Sequence, residues 1–372
     1  MTPFRGEEPE QVLVEIGRAV GELRLGASIV VQGQRGLLEV RALEDASEDL
    51  FGRRRRPWRL LLTVERAQAL GLPVEGRGAV SVTLPRNGGL ARHVGLADPM
   101  TVGRAEVGDA IVESTGPDEA AALTLVKLAR RLPAALVRSI ARAPERAMRV
   151  TPEQIAAYPR LAGRSLRLVS EARVPLVDAS QARVFVFRPA DGGLEHMAIV
   201  VGRPHAAEPI LCRLHSECFT GDVLGSLRCD CGDQLRGALR RMHAEGGGVL
   251  LYLAQEGRNI GLANKLRAYT LQDAGLDTVE ANLHLGFESD ERQWHGAARM
   301  LEVLGFARVR LLTNNPDKVD QLREHGIDVV ERVPHAFAAN DHNRDYLRTK
   351  AVKSGHALFD VLETGRARRC AS

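Results

Sequence analysis

Strand and helix signals alternate in the second half of the chain, and this feature most restricts its fold. Residues 249–253, 308–313 and 327–333 have the pattern of short strands. Between them lie stretches with helical patterns at residues 260–274, 291–304 and 316–325, each followed by a glycine. Glycine is common just beyond a helix because it adopts a left-handed conformation without strain. The alternation predicts an α/β layered domain.

The first part of the chain predicts a separate domain. Residues 27–31 and 60–64 have the apolar, β-branched composition of strands, whereas residues 119–132 and 133–143 are predicted to be helices. A helix is also expected from Thr151, because Thr is a good N-cap and proline follows it. A new strand-rich stretch begins near Leu166. We therefore expect an α/β (α+β layered) protein with domains at 1–165 and 166–362 and a tail at 363–372.

Three of the five cysteines, Cys218, Cys229 and Cys231, lie within fourteen residues. Thiolates bind zinc well, and three ligands leave a fourth tetrahedral position that water can occupy. Cys229 and Cys231 are expected to alternate in an extended segment, with both thiols on one side. His215 is an alternative fourth ligand, although on a strand it would face away from Cys218. Cys212 and Cys370 lie outside the pattern, and core and tail positions are expected for them.

Two polar turns that follow predicted strands contain candidate ligand-binding residues. In the first, Glu256 can accept hydrogen bonds from a base edge and Arg258 can clamp a phosphate. In the second, Pro316 starts a helix whose first turn holds Lys318, a combination typical of an anion site. Strand ends in open α/β sheets are where ligands bind. An ordinary polar turn explains either segment equally well, and residues 289–292 by themselves indicate only a helix start.

Charge and apolar content restrict the possible partners. The net charge is +4, and its densest basic patch is a run of four arginines at residues 53–56. Such a patch can contact nucleic acid, but no nucleic-acid-binding motif accompanies it, so a solvated loop is the preferred interpretation. The sequence has neither a long apolar run nor a secretory signal, and its odd cysteine count suits a reducing compartment. We expect a cytoplasmic protein with neither nucleic-acid nor membrane partners.

Five segments taken together closely resemble GTP cyclohydrolase II, the enzyme that opens the guanine imidazole ring of GTP in riboflavin biosynthesis. In chain order they are RLHSECFTGDVLGSLRCDCGDQL, LLYLAQEGRNIGLANKLRAYTLQDAGLDTVEAN, LGFESDER, LLTNNPDKV and TKAVKSGHAL. A collinear set of this length is far more specific than any single motif. The resemblance implies a hydrolase that releases formate and pyrophosphate and yields 2,5-diamino-6-hydroxy-4-(5-phosphoribosylamino)pyrimidine.

The resemblance also implies roles for matching positions. The three clustered cysteines would hold one zinc ion whose bound water, with a pKa of about 7, attacks C8 of guanine. Mg2+ would accompany the phosphates, and a homodimer is implied. Asp290 would accept a proton, Arg292 would attack the α-phosphorus or stabilise the leaving phosphates, and Tyr269 would allow hydrolysis to reach completion. The GTP-binding positions would be Arg213, His215, Ser216, Glu217, Gln234, Glu256, Gly257, Arg258, Thr278, Thr313 and Lys318.

Residues 25–160 faintly resemble a 3,4-dihydroxy-2-butanone 4-phosphate synthase domain. The position of that enzyme's acidic metal-binding loop reads QRGLL at residues 34–38, and His93 is the only histidine before His196. We therefore expect a degenerate, non-catalytic domain. Two alternatives for the whole chain stay open. One is a paralogue that stops at the formylated intermediate or acts in pyrimidine catabolism, and the other is a zinc-stabilised nucleic-acid-binding or regulatory protein.

Overall fold

A computed structural model describes residues 8–51, 58–85, 89–101, 107–353 and 355. Internal contacts divide the chain into two compact units. The first comprises Met1–Leu161, Ala263–Leu276 and Glu280–Glu291, and the second comprises Ala162–Leu262, Asp277–Val279 and Arg292–Ser372. The arginine run at 53–56, Cys370 and the tail at 363–372 lie outside the described residues.

The first unit contains a mostly antiparallel sheet. Its strands are β1 (Ile29–Gly33), β2 (Gly36–Ala42), β3 (Arg59–Thr63), β4 (Ala79–Thr83), β5 (Ile111–Ser114), β6 (Ala134–Ile140) and β7 (Arg149–Val150). They are ordered β5-β4-β3-β6-β2-β1-β7, and only the β1–β7 pair is parallel. The helices are α1 (Pro9–Arg24), α2 (Val64–Ala69), α3 (Leu90–Ala97), α4 (Pro117–Leu128) and α5 (Pro152–Arg164). Two 3-10 turns, Leu43–Asp45 and Glu48–Phe51, lie between β2 and β3.

The helix predicted at residues 133–143 is wrong, because this segment forms strand β6. β6 lies between β3 and β2, and its residues from Ala134 to Val137 are all buried. A strand buried on both faces is apolar throughout, so its periodicity does not distinguish it from a buried helix. The helix predicted at 119–132 is confirmed by α4. The start predicted at Thr151 is also confirmed, because Thr151 Oγ1 accepts a hydrogen bond from the Gln154 backbone N–H at 3.2 Å.

The second unit contains a mixed sheet. Its strands are β8 (Arg167–Arg173), β9 (Ala182–Arg188), β10 (His196–Gly202), β11 (Ile210–Ser216), β12 (Gly247–Leu253), β13 (Arg308–Leu312) and β14 (Asp328–Val333). They are ordered β14-β13-β11-β12-β10-β9-β8, and β12, β11, β13 and β14 run parallel. The remaining helices of the chain are α6 (Cys231–Ala244), α7 (Leu262–Asp273), α8 (Thr278–His284), α9 (His295–Val303), α10 (Asp317–Glu324) and α11 (Arg344–Lys353). The predicted α/β layering is confirmed.

Both faces of the parallel strands in the second unit are covered. On one face, Leu251 of β12 belongs to a buried cluster with Met300 of α9, and on the other face Leu250 joins a cluster with Met242 of α6. Because apolar side chains fill both faces, polar groups are concentrated where the strands end. In the described part of the chain, no helix combines the length and the apolar character needed to cross a membrane.

The helix predicted to begin at residue 291 begins instead at His295. Glu291 does not act as a first-turn acid, since its Oε1 atom accepts hydrogen bonds from the Glu288 backbone N–H at 2.9 Å and from Lys127 Nζ at 2.6 Å. These bonds fold the preceding residues into an irregular turn. The interaction with Lys127 joins residues far apart in the sequence, so local helix signals do not report it.

Candidate active site at the ends of three parallel strands

Three adjacent parallel strands end at one edge of the sheet in the second unit. Glu217 and Cys218 follow β11, residues 254–258 follow β12, and residues 313–318 follow β13. Ligands of open α/β sheets bind beyond the carboxyl ends of the strands. The strand order therefore brings the predicted metal, base and phosphate segments to the same edge.

The three cysteines predicted as ligands form one group. Their sulfur atoms all lie within 4.8 Å of one another, and the sulfur atoms of Cys218 and Cys229 are 3.7 Å apart. Cys218 precedes a single π-helical turn, Phe219–Val223. The extended segment predicted for Cys229 and Cys231 is wrong, because Cys231 is the first residue of α6. Asp230 has φ −101° and ψ 12°, which lies outside the β region, so the chain bends between the two cysteines.

The geometry of this group fits zinc. Zinc–sulfur bonds of about 2.3 Å in a tetrahedron place the sulfur atoms about 3.8 Å apart. Gly221 makes room for the thiols, since a Cβ atom there would lie 2.7 Å from Cys229 Sγ and 3.0 Å from Cys218 Sγ. The hydrogen bond with the Cys218 thiol, with burial among the lesser causes, raises the pKa of Cys229 to about 11. Three soft sulfur donors with no carboxylate in the group favour zinc over magnesium or calcium.

His215 lies outside the cysteine group, and a carboxylate holds its ring. Its Nε2 atom is 3.0 and 3.1 Å from the two oxygens of Asp222. Asp222 also accepts hydrogen bonds from the Tyr252 hydroxyl and from the Cys218 backbone N–H, each at 3.0 Å. Burial lowers the pKa of His215 in spite of the Asp222 carboxylate. Asp222 therefore links His215 to the turn that carries Cys218. The sequence prediction missed Asp222 and Tyr252, although Asp222 lies within the cysteine motif.

A chain of buried polar groups connects β11 to α11. Arg213 donates to the carbonyl of Leu312 at 2.8 Å and to Oε1 of Gln234. The amide nitrogen of Gln234 donates to Asp230, whose second carboxylate oxygen accepts from Lys350 Nζ at 3.0 Å. Arg213 and Gln234, both predicted to bind GTP, are thus fixed to the residue between two cysteines. Asp230 and Lys350 were not predicted, because a lysine so distant in sequence gives no local signal for this contact.

Cationic side chains gather around one indole ring. The guanidinium carbon of Arg292 lies 5.0 Å from the centroid of Trp294, and Lys318 Nζ lies 5.3 Å from it. Lys318 also donates to the carbonyl of Leu214 at 3.3 Å. Burial, with repulsion from Arg292 among the lesser causes, lowers the pKa of Arg213 to about 10. Three neighbouring cations in a buried setting suit a polyanionic ligand.

The loop after β12 has an unusual backbone. Gly257, Arg258 and Asn259 have φ angles of +64°, +61° and +77°. Non-glycine residues rarely adopt positive φ, and those that do cluster at functional sites. The Glu256 carboxylate accepts hydrogen bonds from the backbone N–H groups of Gly257 at 2.9 Å and Phe219 at 2.7 Å. Glu256 therefore ties this loop to the cysteine turn, and its contact with guanine stays a prediction.

Three buried polar atoms of β11 have no hydrogen-bond partner among the described residues. They are Arg213 Nε, His215 Nδ1 and Ser216 Oγ, at the end of β11. Buried polar atoms are normally satisfied, so these atoms are available to a ligand. Thr313 is buried and its hydroxyl accepts from the Asn315 backbone N–H at 3.0 Å.

The predicted site residues are divided between the two units. Glu217 and Thr278 lie in the second unit, with the cysteines and the cations, whereas Tyr269 on α7 and Asp290 lie in the first unit. Tyr269 has Lys265 Nζ 5.8 Å from its ring centroid, and Asp290 is exposed. Their catalytic roles stay predictions.

Known proteins share this arrangement of motifs. The sequence model of GTP cyclohydrolase II matches residues 167–334. A GTP cyclohydrolase-2 from Azospirillum brasilense is 48% identical over 364 residues, which cover 93% of this chain and 94% of that relative. The chain belongs to the GTP cyclohydrolase II family. The resemblance found in the sequence is thereby confirmed, as is the predicted enzyme class, a hydrolase of riboflavin biosynthesis.

Two further comparisons concern the extent of the similarity. A GTP cyclohydrolase-2 from Proteus mirabilis is 54% identical over 194 residues, covering 52% of this chain and 97% of that relative. A solved two-domain 3,4-dihydroxy-2-butanone 4-phosphate synthase from A. baumannii aligns with 87% of this chain and 99% of its own, at 15% identity and a TM-score of 0.31. That structural similarity is too low to assign the first unit, so its synthase-like origin stays a prediction.

Replacing Gly221 by alanine should weaken metal binding. The added methyl would lie 2.7 Å from Cys229 Sγ and 3.0 Å from Cys231 Cβ, so the thiols must separate. We expect zinc affinity to fall about 10- to 100-fold, the range seen when groups that orient metal ligands are lost. Competition with a chromophoric chelator measures this affinity. Gly21→Ala in α1, where a new Cβ meets nothing within 4 Å, is the control and should bind zinc as the wild type does. Unchanged affinity in Gly221→Ala would contradict the proposed packing.

Replacing Lys350 by methionine should destabilise the protein. The Lys350 and Asp230 side chains are only 11% and 2% exposed, so the substitution leaves a buried carboxylate without its cation. Loss of one partner of a buried ion pair costs about 3–5 kcal/mol. Lys353→Met on the same helix is the matched control, since Lys353 is 41% exposed in its pair with Asp277 and its loss should cost about 1 kcal/mol or less. Urea unfolding followed by circular dichroism measures both costs, and equal values would show that the buried pair has no special role.

Proposed function

We propose that this protein is a GTP cyclohydrolase II that converts GTP into 2,5-diamino-6-hydroxy-4-(5-phosphoribosylamino)pyrimidine, formate and pyrophosphate. The observation that carries the proposal is the group of three cysteines beside buried cations at the ends of β11, β12 and β13. The similarity to the A. brasilense GTP cyclohydrolase-2 along nearly the whole chain supports it. Residues 166–362 would form the catalytic domain, residues 1–165 a non-catalytic domain, and the active enzyme a cytoplasmic homodimer.

Cys218, Cys229 and Cys231 would hold the zinc ion. When bound, zinc acts as a Lewis acid and supplies a water nucleophile near neutral pH for the attack on C8 of guanine and for the release of formate. The chain's own contribution is to fix the donors. Asp222 accepts from the Cys218 backbone N–H, and the missing side chain of Gly221 lets the three sulfur atoms approach.

The unsatisfied atoms at the end of β11 would bind the nucleotide. Arg213 Nε can donate to a phosphate, Ser216 Oγ can donate or accept, and His215 Nδ1 is held in place through the contact of its other ring nitrogen with Asp222. Glu256 would accept from the N1–H and 2-amino groups of guanine, and a Mg2+ ion would accompany the triphosphate. The remaining contacts would come from Glu217, Gln234, Gly257, Arg258, Thr278 and Thr313.

Arg292 would stabilise the phosphates electrostatically. A guanidinium group is effectively always protonated, which makes it a poor nucleophile, and the guanidinium of Arg292 lies against the Trp294 ring. Lys318 shares the same indole and, with Arg292, would neutralise the pyrophosphate that leaves as a water oxygen forms the new bond to the α-phosphorus. Asp290 would accept the proton from the attacking water, and Tyr269 would assist the second hydrolysis.

Incubation of the purified protein with GTP tests the proposal. We expect formate and pyrophosphate to appear in equal amounts together with the diaminopyrimidine, measured by enzyme-coupled assays and absorbance. Removal of zinc with a chelator should abolish turnover, and added zinc should restore it. Cys229→Ser should lose zinc and activity, with Cys212→Ser, outside the metal group, as the control. A formylated product without free formate would select the paralogue that stops early, and no turnover by the zinc-loaded protein would refute the proposal.

Replacing Trp294 by leucine should weaken GTP binding. Each cation–π contact is worth about 0.5–1 kcal/mol, so loss of the contacts with Arg292 and Lys318 predicts a KM for GTP about 5- to 30-fold higher. Trp58→Leu is the matched control, because Trp58 is also buried and faces an arginine, Arg138, at 4.5 Å in the first unit. Steady-state kinetics of both variants measure the effect, and an unchanged KM in Trp294→Leu would remove this ring from the phosphate site.

A further inference from the structure

The end of α8 in the first unit is held by donors from residues of the N-terminal part of the chain. Thr63 Oγ1 donates to the carbonyl of Gly286 at 2.8 Å, and Arg66 Nη1 donates to the carbonyl of His284 at 3.0 Å. The last carbonyls of a helix lack partners within the helix, so they need donors from elsewhere. Two side chains at the start of α2 supply donors here.

Both donors are themselves fixed. Thr63 is the N-cap of α2, and its hydroxyl oxygen accepts from the Arg66 backbone N–H at 3.2 Å. Arg66 is 5% exposed, and its Nε atom donates to the carbonyl of Leu96 at 2.8 Å. At Gly286, φ is +87°, and an added Cβ would lie 2.8 Å from Thr63 Oγ1 and 3.0 Å from Pro133 Cγ. Both the positive φ angle and the close approach of Thr63 therefore favour glycine at position 286.

A lysine holds the residues that follow. Lys127 Nζ on α4 lies 2.6 Å from Glu291 Oε1, and both side chains are less than one-fifth exposed, at 18% and 19%. The same Glu291 oxygen accepts from the Glu288 backbone N–H at 2.9 Å, and Lys127 Nζ lies 5.9 Å from the centroid of Phe287. Lys127 is the only lysine among residues 1–166. The ion pair thus closes the turn over residues 288–291, in which Asp290 lies.

The helix that carries Tyr269 has an anchor of the same kind. Arg267 on α7 donates to Glu44 Oε1 at 2.6 Å and to Asn264 Oδ1 on its own helix at 2.7 Å. Asp98 Oδ2 lies 3.9 Å from Arg267 Nε. Both segments of the first unit that carry proposed catalytic residues are therefore bonded to residues of the N-terminal part.

We propose that Thr63, Arg66 and Lys127 are positioning residues for GTP hydrolysis, and that they hold residues 284–291 in the one conformation that presents Asp290. This proposal rests on the proposed function, in which Asp290 is the proton acceptor. It gives the N-terminal part a task that needs no catalytic residues of its own. The P. mirabilis relative aligns over 97% of its length with 52% of this chain, so the task is assigned to this protein and not to every member of the family.

Lys127→Met in the full-length, zinc-loaded protein tests the ion pair. A small misplacement of a catalytic group costs about 100-fold in rate, so we expect kcat to fall about 10- to 100-fold while KM for GTP stays near the wild-type value. Lys127→Arg keeps the cation and should recover most of the lost rate. Recovery by the conservative variant, together with a change confined to kcat, separates positioning from a general loss of structure.

Thr63→Val tests the hydroxyl bond to Gly286, and Thr124→Val on α4 is its matched control. The Thr124 hydroxyl donates only within its own helix, to the carbonyl of Ala120 at 3.1 Å, and its side chain is exposed. Thr63→Val should lower kcat as Lys127→Met does, whereas Thr124→Val should leave it unchanged.

Hydrogen exchange measured by mass spectrometry provides a readout that does not depend on turnover. In Lys127→Met, the amides of residues 287–291 should exchange faster, above all that of Glu288, which donates to Glu291. Unchanged exchange would show that the ion pair does not hold the segment. Faster exchange with a wild-type kcat would overturn the positioning role alone. Absence of GTP turnover in the wild type would overturn the proposed function and the positioning role with it, while faster exchange would still identify a structural contact.

Discussion

The parallel pairing of β11 with β12 and β13 is the constraint on which the candidate site depends. The pairing places His215 opposite Tyr252 and Cys212 opposite Val249 and Leu311, so the three strands stop at a common edge. Side chains on both faces of these strands join buried apolar clusters, and three unsatisfied polar atoms lie toward the end of β11. A shift of one residue along β11 would move His215 away from Asp222 and turn its side chain to the other face of the sheet. The positions of the site residues at this edge therefore depend on the strand register that the packed core maintains.

The grouping of Cys218, Cys229 and Cys231 could be predicted from the sequence because it depends on residue type and close spacing. The bend at Asp230 could not be predicted in this way, because the Asp230 carboxylate also bonds Lys350, which lies 120 residues later in the chain. Strand β6 was misread for a related reason. A fully buried strand loses the alternation that identifies it, and only its neighbours in the sheet reveal it.

Long-range hydrogen bonds also explain why the residues around Glu291 were misassigned. Local rules expect acidic residues to open a helix, but the carboxylate of Glu291 is engaged by Lys127, 164 residues earlier in the chain. The family motif contains Asp290 and Arg292, but it does not contain Lys127, which bonds Glu291 between them. The backbone conformation around these residues therefore depends on contacts that the sequence motif does not contain.

The two ends of the LGFESDER segment, residues 285–292, make different kinds of contact. Gly286 accepts a hydrogen bond from the Thr63 hydroxyl and Glu291 pairs with Lys127, both within the first unit. Arg292, in the second unit, lies against Trp294 with Lys318 on the same ring, and cations gathered in this way repel one another. An anionic ligand would reduce this repulsion, as expected where a substrate phosphate binds.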